Sequence, residues 1–323
     1  MKPFKHINAK TVNEATALLQ KYKGKARLIA GGTDLLGILK GNILPKYPEA
    51  VIDIKTIKGL DYIKENTKGL KIGALTKLTD IANSQLIKTD YGTLHLAAKS
   101  VATTEIRNMG TIGGNLCQHT RCYYYRYPHQ IGGRLLCWRK GAKCCLAVSG
   151  DNRYHAIMGG KKCFAVCPSD IAGALTALNA VIKIKGSGSS RTIPVQDFYT
   201  PMGTTLNTGE MVTEIQIPKP PRGAKQTFIK FTLRKPIDFA VVSVASSITL
   251  EGAVCKDAII ILGAVAPSPI RATAAEQLIK GKIIDEVIAV KAGEAALAGA
   301  KALSKNEYKI EIAKTLIKRA ILS

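Results

Sequence analysis

Seven of the eight cysteines fall between Cys117 and Cys167, in a stretch of 52 residues, 116–167, that carries neither a helical nor a strand period. A run of that length without regular structure is uncommon inside a compact domain and marks function. The folded framework must therefore come from the residues on either side. The N-terminus, Met1-Lys2-Pro3-Phe4-Lys5-His6, leads into polar residues rather than an apolar leader, so the expected location is the cytoplasm. Thiols stay reduced there, and a tight cluster of them points to metal or redox chemistry rather than disulfides. Cys255, just ahead of an apolar run, reads as a small core residue.

The flanks are periodic. Thr11-Val12-Asn13-Glu14 is a capping box, predicting a helix that ends near Gly24. Strands are expected at Ala26–Ala30 and Ala50–Ile54, a hairpin within 60–75, and a helix at Leu94–Ala102. Beyond the cysteines, Ser169-Asp170 can cap a helix through Leu178, followed by a strand at Ala180–Lys185. Pro218-Lys219-Pro220-Pro221-Arg222-Gly223 is the best linker, so the expected domains are 1–218, split at about residue 57, and 223–323. The second should hold strands within Thr227–Leu233, Phe239–Leu250 and Ala258–Val265, then helices from Ala272 onward. Runs of strands followed by runs of helices make the fold class α+β.

Three hundred and twenty-three residues, 46% of them hydrophobic, exclude a disordered chain. The longest apolar stretch, Ala258–Ala266, is nine residues, too short to span a membrane. The net charge of +24 is spread along the chain, mostly as lysine, without an arginine-rich tract or interleaved aromatic platforms, so nucleic acid is not the expected partner. A diffusely basic surface or an acidic partner subunit remains. The five histidines show no ligand spacing and read as hydrogen-bonding or surface residues.

Two loops of similar chemistry stand about eighty residues apart. Ile29-Ala30-Gly31-Gly32-Thr33-Asp34-Leu35 follows a strand, and Thr111-Ile112-Gly113-Gly114-Asn115 precedes the cysteines. Glycines let successive N–H groups converge on a phosphate. Neither loop is a Walker A or a Rossmann fingerprint, and a plain tight turn is the alternative for the first. Together they could hold one pyrophosphate, with Asp170 accepting from a ribose hydroxyl or serving only as a helix cap.

These two loops, with Pro168-Ser169-Asp170, the run Phe228–Ala240 (Lys230, Arg234, Asp238, Phe239) and Gly263-Ala264-Val265-Ala266-Pro267 with Arg271, follow one family in order. The chain resembles the FAD-binding medium subunits of the molybdenum hydroxylases, the flavin subunits of xanthine dehydrogenase, carbon monoxide dehydrogenase and 4-hydroxybenzoyl-CoA reductase. The resemblance covers almost the whole chain. It implies a two-part FAD domain of the vanillyl-alcohol-oxidase type followed by a C-terminal α+β domain of the carbon monoxide dehydrogenase flavoprotein type. Carried over, Ile29, Ala30, Gly31, Gly32, Thr33, Asp34 and Leu35 cradle the pyrophosphate, and Thr111, Gly114 and Asn115 complete the pocket. Asp170 binds a ribose hydroxyl, Val212 packs on the flavin ring, and Lys230 lies near its pyrimidine end, where a cation stabilises the reduced flavin. The alternative for Lys230 is an exposed strand lysine.

Most subunits of this family have only a few residues where this chain has 52. The 4-hydroxybenzoyl-CoA reductase subunit holds a [4Fe-4S] cluster in such an insertion, and Cys122, Cys137, Cys145 and Cys163 match its cysteine order, with 14, 7 and 17 residues between them. Cys144 could replace Cys145, and Cys167 could replace Cys163. Zinc is the competitor, but the short paired spacing of zinc sites is poorly represented. Cys117 reads as packing, and Tyr123, Tyr124, Tyr125 and Tyr127 as cover for the cluster. The expectation is an electron-transfer subunit working with a large molybdopterin subunit, a small [2Fe-2S] subunit and an external ferredoxin or NAD. A flavin subunit of a xanthine-dehydrogenase-like or N-heterocycle hydroxylase is the near alternative, and a basic zinc-binding interaction protein the distant one.

Overall fold

Thr11 caps the first helix, Val12–Lys21: its hydroxyl accepts from the Glu14 N–H, and the Glu14 carboxylate accepts from the Lys10 N–H. The helix packs on a three-stranded parallel sheet in the spatial order Lys5–Asn8, Ala50–Asp53, Ala26–Ile29. The central strand is buried at every position, as a parallel strand covered on both faces must be. This computed structural model describes residues 1–133, 135–235 and 237–323. Arg134, in the cysteine-rich stretch, and Pro236, in the Phe228–Ala240 run, lie outside the described residues.

The second unit is a five-stranded antiparallel sheet, ordered Ile63–Asn66, Gly69–Gly73, Met211–Pro218, Val181–Lys185, Ser190–Pro194. Along Val181–Lys185, Ile182 and Ile184 are buried while Val181, Lys183 and Lys185 are half-exposed, the alternation that fixes register on a one-sided sheet. The inner face carries helices Leu78–Asn83, Gln85–Asp90, Gly92–Ser100 and Asp170–Ala177. The last is buried at all eight positions. It lies between Gly92–Ser100 and the C-terminal strands, so its apolar sequence has no solvent face to accommodate.

Pro218 ends the strand that closes this unit, and the chain re-enters regular structure at Lys225. The C-terminal unit is an antiparallel sheet of Lys225–Phe231, Val242–Glu251, Val254–Gly263 and Ile270–Arg271, backed by helices Thr273–Ile279, Glu286–Leu297 and Tyr308–Leu322. The apolar run from Phe239 becomes strand only at Val242; Phe239, with Ile237 and Asp238 before it, lines a cavity instead.

The cysteine-rich stretch is irregular apart from short turns of helix at Tyr123–Arg126 and Trp138–Lys140. It is nonetheless pinned on all sides. Tyr125 and Cys137 join the core of the N-terminal unit with Ile29, Ile38 and Leu39. On the opposite side Asn306 donates to the carbonyls of His155 and Ala156, and Asn152 bonds Ser304 and Lys305. Among the described residues no helix is long and apolar enough to cross a membrane.

Candidate functional site

The two glycine loops meet. A β-carbon on Gly31 would lie 1.9 Å from the Met109 carbonyl oxygen, so only glycine lets the first loop rest on the backbone leading into the second. Gly32 sits at φ +73°, the left-handed region, which turns the chain from the strand into helix Leu35–Lys40. Among the described residues, the N–H groups of Gly31, Gly32, Thr33, Asp34 and Leu35 donate to no protein acceptor. Five consecutive amides left free beside a cavity form an anion-binding nest.

The second loop is organised differently. Thr111 caps helix Ile112–Leu116, its hydroxyl accepting from Gly114 N–H, and the Gly113 N–H donates to Ala74. Asn115 accepts from the Ser169 hydroxyl at 2.6 Å, tying this loop to the start of helix Asp170–Ala177. Ser169 is the cap of that helix, through Ala172 N–H, which leaves Asp170 free for another task. Asp170 pairs with Lys230 at 2.7 Å, and Lys230 also donates to Ser100 O. Both side chains are buried. Burial pushes the Asp170 carboxyl upward against the pull of the Lys230 ammonium.

Ile29, Ala30, Gly31, Gly32, Thr33, Asp34, Leu35, Thr111, Gly114, Asn115, Asp170, Val212 and Lys230 all line one cavity of about 830 Å³, a volume typical of a ligand site. Cys117 lines it too, its thiol pushed by burial up to about 12, in keeping with a packing role. Asp34 departs from the cradle role in one respect. Its carboxylate turns toward the cysteine-rich stretch, accepting from His119 N–H and from Arg126 and Arg121 at 2.6 and 2.9 Å. Burial alone would raise Asp34, but the two guanidiniums hold it below the usual carboxylate range. Asp34 lines the cavity while its side chain braces the neighbouring loop.

Next to this cavity lies a second void, about 10 Å³, lined by Cys122, Cys137, Cys145 and Cys163 together with Tyr124, Tyr125, Trp138, Arg139 and Leu146. Cys144 is exposed and Cys167 faces the large cavity instead. The four thiols ring the void rather than converge: among the described residues no three His, Cys, Asp or Glu side chains are disposed to hold a metal ion. The void has the room of roughly one water, so a polynuclear centre would part the side chains further. Donor type and number fit an iron–sulfur cluster bound by four cysteines. His155 Nε2 lies 3.2 Å from Cys122 Sγ, while its Nδ1 is buried with no partner among the described residues. Burial, helped by the charge of Lys309, pulls His155 down to about 4, so the ring is neutral.

The family described as FAD binding domain in molybdopterin dehydrogenase matches residues 2–220, and that described as CO dehydrogenase flavoprotein C-terminal domain matches 227–323. The chain belongs to the FAD-binding medium subunits of the molybdenum hydroxylases. It is similar to the aldehyde oxidoreductase FAD-binding subunit PaoB of Escherichia coli (strain K12), with 36% identity over 97% of this chain and 96% of that one. The carbon monoxide dehydrogenase medium chain of Afipia carboxidovorans is 27% identical over 98% and 95%. Among solved structures, carbon monoxide dehydrogenase from Hydrogenophaga pseudoflava superposes with a TM-score of 0.79 at 28% identity, covering 100% of this chain and 98% of that one. Membership fixes FAD as the ligand class of this flavin subunit and α+β as its architecture.

Sequence reasoning missed the arginines. Arg121, Arg126 and Arg139 connect the cysteine-rich stretch to the flavin side, and Arg121 stacks on Phe239, its guanidinium 4.5 Å from the ring centre. The signal was available: residues 116–167 carry nine Lys and Arg against the single acid Asp151.

Proposed function

We propose that this flavin subunit is an electron-transfer module that carries a [4Fe-4S] cluster beside its FAD. The observation that carries the reading is that the four cysteines matched in order along the chain line one void, which shares Tyr125 and Arg139 with the wall of the flavin cavity. Cys122, Cys137, Cys145 and Cys163 would hold the cluster. FAD supplies the chemistry that links two-electron and one-electron exchange when bound.

The protein's own residues have distinct tasks. The free amides of Gly31 to Leu35 bind the diphosphate, Thr111 and Asn115 hold the second loop against Ser169, and Val212 gives the ring an apolar wall. Lys230, fixed by Asp170 and Ser100 O, places a cation where the reduced ring gathers negative charge. The same pair leaves one Asp170 oxygen for a ribose hydroxyl. Substrate chemistry belongs to a partner molybdopterin subunit, reached through a small [2Fe-2S] subunit, and ferredoxin or NAD is the external partner. The relatives named for aldehyde oxidation favour an aldehyde as the substrate of such a complex over the aromatic thioester of a reductase-like one.

Anaerobic purification followed by acid extraction tests this. FAD, labile sulfide and about four irons per chain are expected, and Cys122→Ala and Cys145→Ala should each lose the iron while FAD stays. A yellow protein without sulfide would leave a plain flavin subunit. A colourless one with stoichiometric zinc would overturn both cofactors.

A further inference from the structure

Arg139 occupies the partition between the two cavities and lines both. Its Nε donates to Cys163 Sγ at 3.2 Å, while its two terminal nitrogens donate to the carbonyls of Met202 at 3.0 Å and Pro201 at 2.9 Å. Met202 itself lines the flavin cavity. The guanidinium carbon also lies 6.0 Å from the centre of the Tyr125 ring, the other side chain common to both walls. All three kinds of guanidinium nitrogen are thus committed, and the planar fork can point one N–H at the sulfur with little freedom left to lose. The loop around it is strongly cationic.

We infer that Arg139 sets the reduction potential of the cluster through Cys163, a role that rests on the cluster reading above. The physical reason is charge. Each electron taken up from an external reductant adds one negative charge to a centre ligated by four thiolates. An N–H donor and a fixed positive charge at a ligand sulfur stabilise that reduced form, and hydrogen bonds to sulfur with net local charge are among the determinants of such potentials. Arg139 is half-buried, its terminal nitrogens at the open side and its Nε toward the sulfur, so water screens the charge only in part. Arg139 is a positioning residue for this centre. His155 stands at Cys122 in a similar place, through one ring nitrogen 3.2 Å from the sulfur.

The test is an EPR-monitored redox titration of the cluster in the anaerobically purified full chain, with dithionite as reductant. Arg139→Met should lower the reduced-to-oxidised ratio at a fixed potential about tenfold, equivalent to about 59 mV more negative for one electron. Arg139→Lys, keeping the charge but losing the fork, should fall between, and Arg153→Met, on the exposed side of the same loop, should leave the midpoint where it was. An unchanged midpoint in Arg139→Met with full iron content overturns the inference and leaves the cluster reading intact. If Arg139→Met loses iron, Arg139→Lys decides by the same measure. Loss of iron from both variants assigns Arg139 to structure and overturns the tuning role. Absence of iron and sulfide in the unsubstituted chain removes the cluster reading itself.

Discussion

The flavin cavity and the cysteine void are neighbours built by opposite means. The cavity is made of backbone: glycines that let two loops touch, five unused amides, and a helix cap that joins the second loop to Ser169. The void is made of side chains: four thiols with tyrosine, tryptophan and arginine around them, held in a stretch with almost no regular structure. A backbone site inherits its precision from the sheets that deliver it. A side-chain site in a loop needs external bracing, which here comes from Asp34 on one side and Asn306 on the other.

The sharpest way to break this contrast is at the buried pair on the cavity side. Asp170→Asn keeps the shape and an amide oxygen to accept from Lys230, but removes the negative charge paired with the buried ammonium. Removing one partner of a buried ion pair costs about 3–5 kcal/mol, and urea unfolding of the variant should show a loss of that order together with weaker FAD retention. A loss under about 1 kcal/mol would mean that the pair is solvated and the cavity less enclosed than its walls imply. Gly31→Ala comes next. Its β-carbon meets Met109 O, a backbone atom that cannot rotate away, so about 3 kcal/mol of overpacking is expected, with FAD content falling in parallel. A variant that binds FAD normally would show that the loops need not touch.

The two regions were also unequally legible in the sequence. Strands and helices at 26–30, 50–54, 180–185 and beyond 225 could be read because their apolar periods answer to local geometry. All thirteen flavin-side residues line one cavity; the two glycine loops carry a local signature, whereas Val212 and Lys230 were reached only through the family resemblance. Arg121, Arg126 and Arg139 did not stand out. Their partners, Asp34, Cys163 and the carbonyls of Pro201 and Met202, are distant in sequence, and a lone arginine has no period to betray its role. Asp34 shows the same limit: its place in a cavity-lining loop gives no sign of its carboxylate's task, which is to accept from His119, Arg121 and Arg126 across the cross-brace. The choice of Cys145 over Cys144 could not follow from adjacency, because it depends on which way each side chain turns.

The bracing of the cysteine stretch can be tested through pH. Lys309 is buried in helix Tyr308–Leu322, donates to His155 O and Ala264 O, and has no carboxylate partner among the described residues. Burial pulls it down to about 7. In the unfolded chain a lysine keeps its proton to about 10.4, so between these values the unfolded chain binds more protons and raising the pH stabilises the fold. Below about 7 both states are protonated and the difference is constant. The stability of the unsubstituted chain relative to Lys309→Met should therefore climb from pH 7 to 10 by on the order of 3 kcal/mol in paired thermal or urea melts. A flat difference would mean that the ammonium stays charged in the fold, carried by its two carbonyls.

The smallest expected effect separates the adjacent cysteines. Cys144 is exposed, and its backbone carbonyl, not its thiol, carries the contact to Trp138 N–H. Cys144→Ser therefore preserves that hydrogen bond and should change stability by less than about 0.5 kcal/mol, as surface substitutions do. It should also leave iron content and the visible spectrum untouched, whereas Cys145→Ser, one residue along and facing the void, should lose the iron. Equal loss from both would mean that the loop can rotate to offer either sulfur. The bracing would then confine the stretch without selecting its ligands, and the contrast between a backbone-built and a side-chain-built site would extend to how tightly each fixes its chemistry.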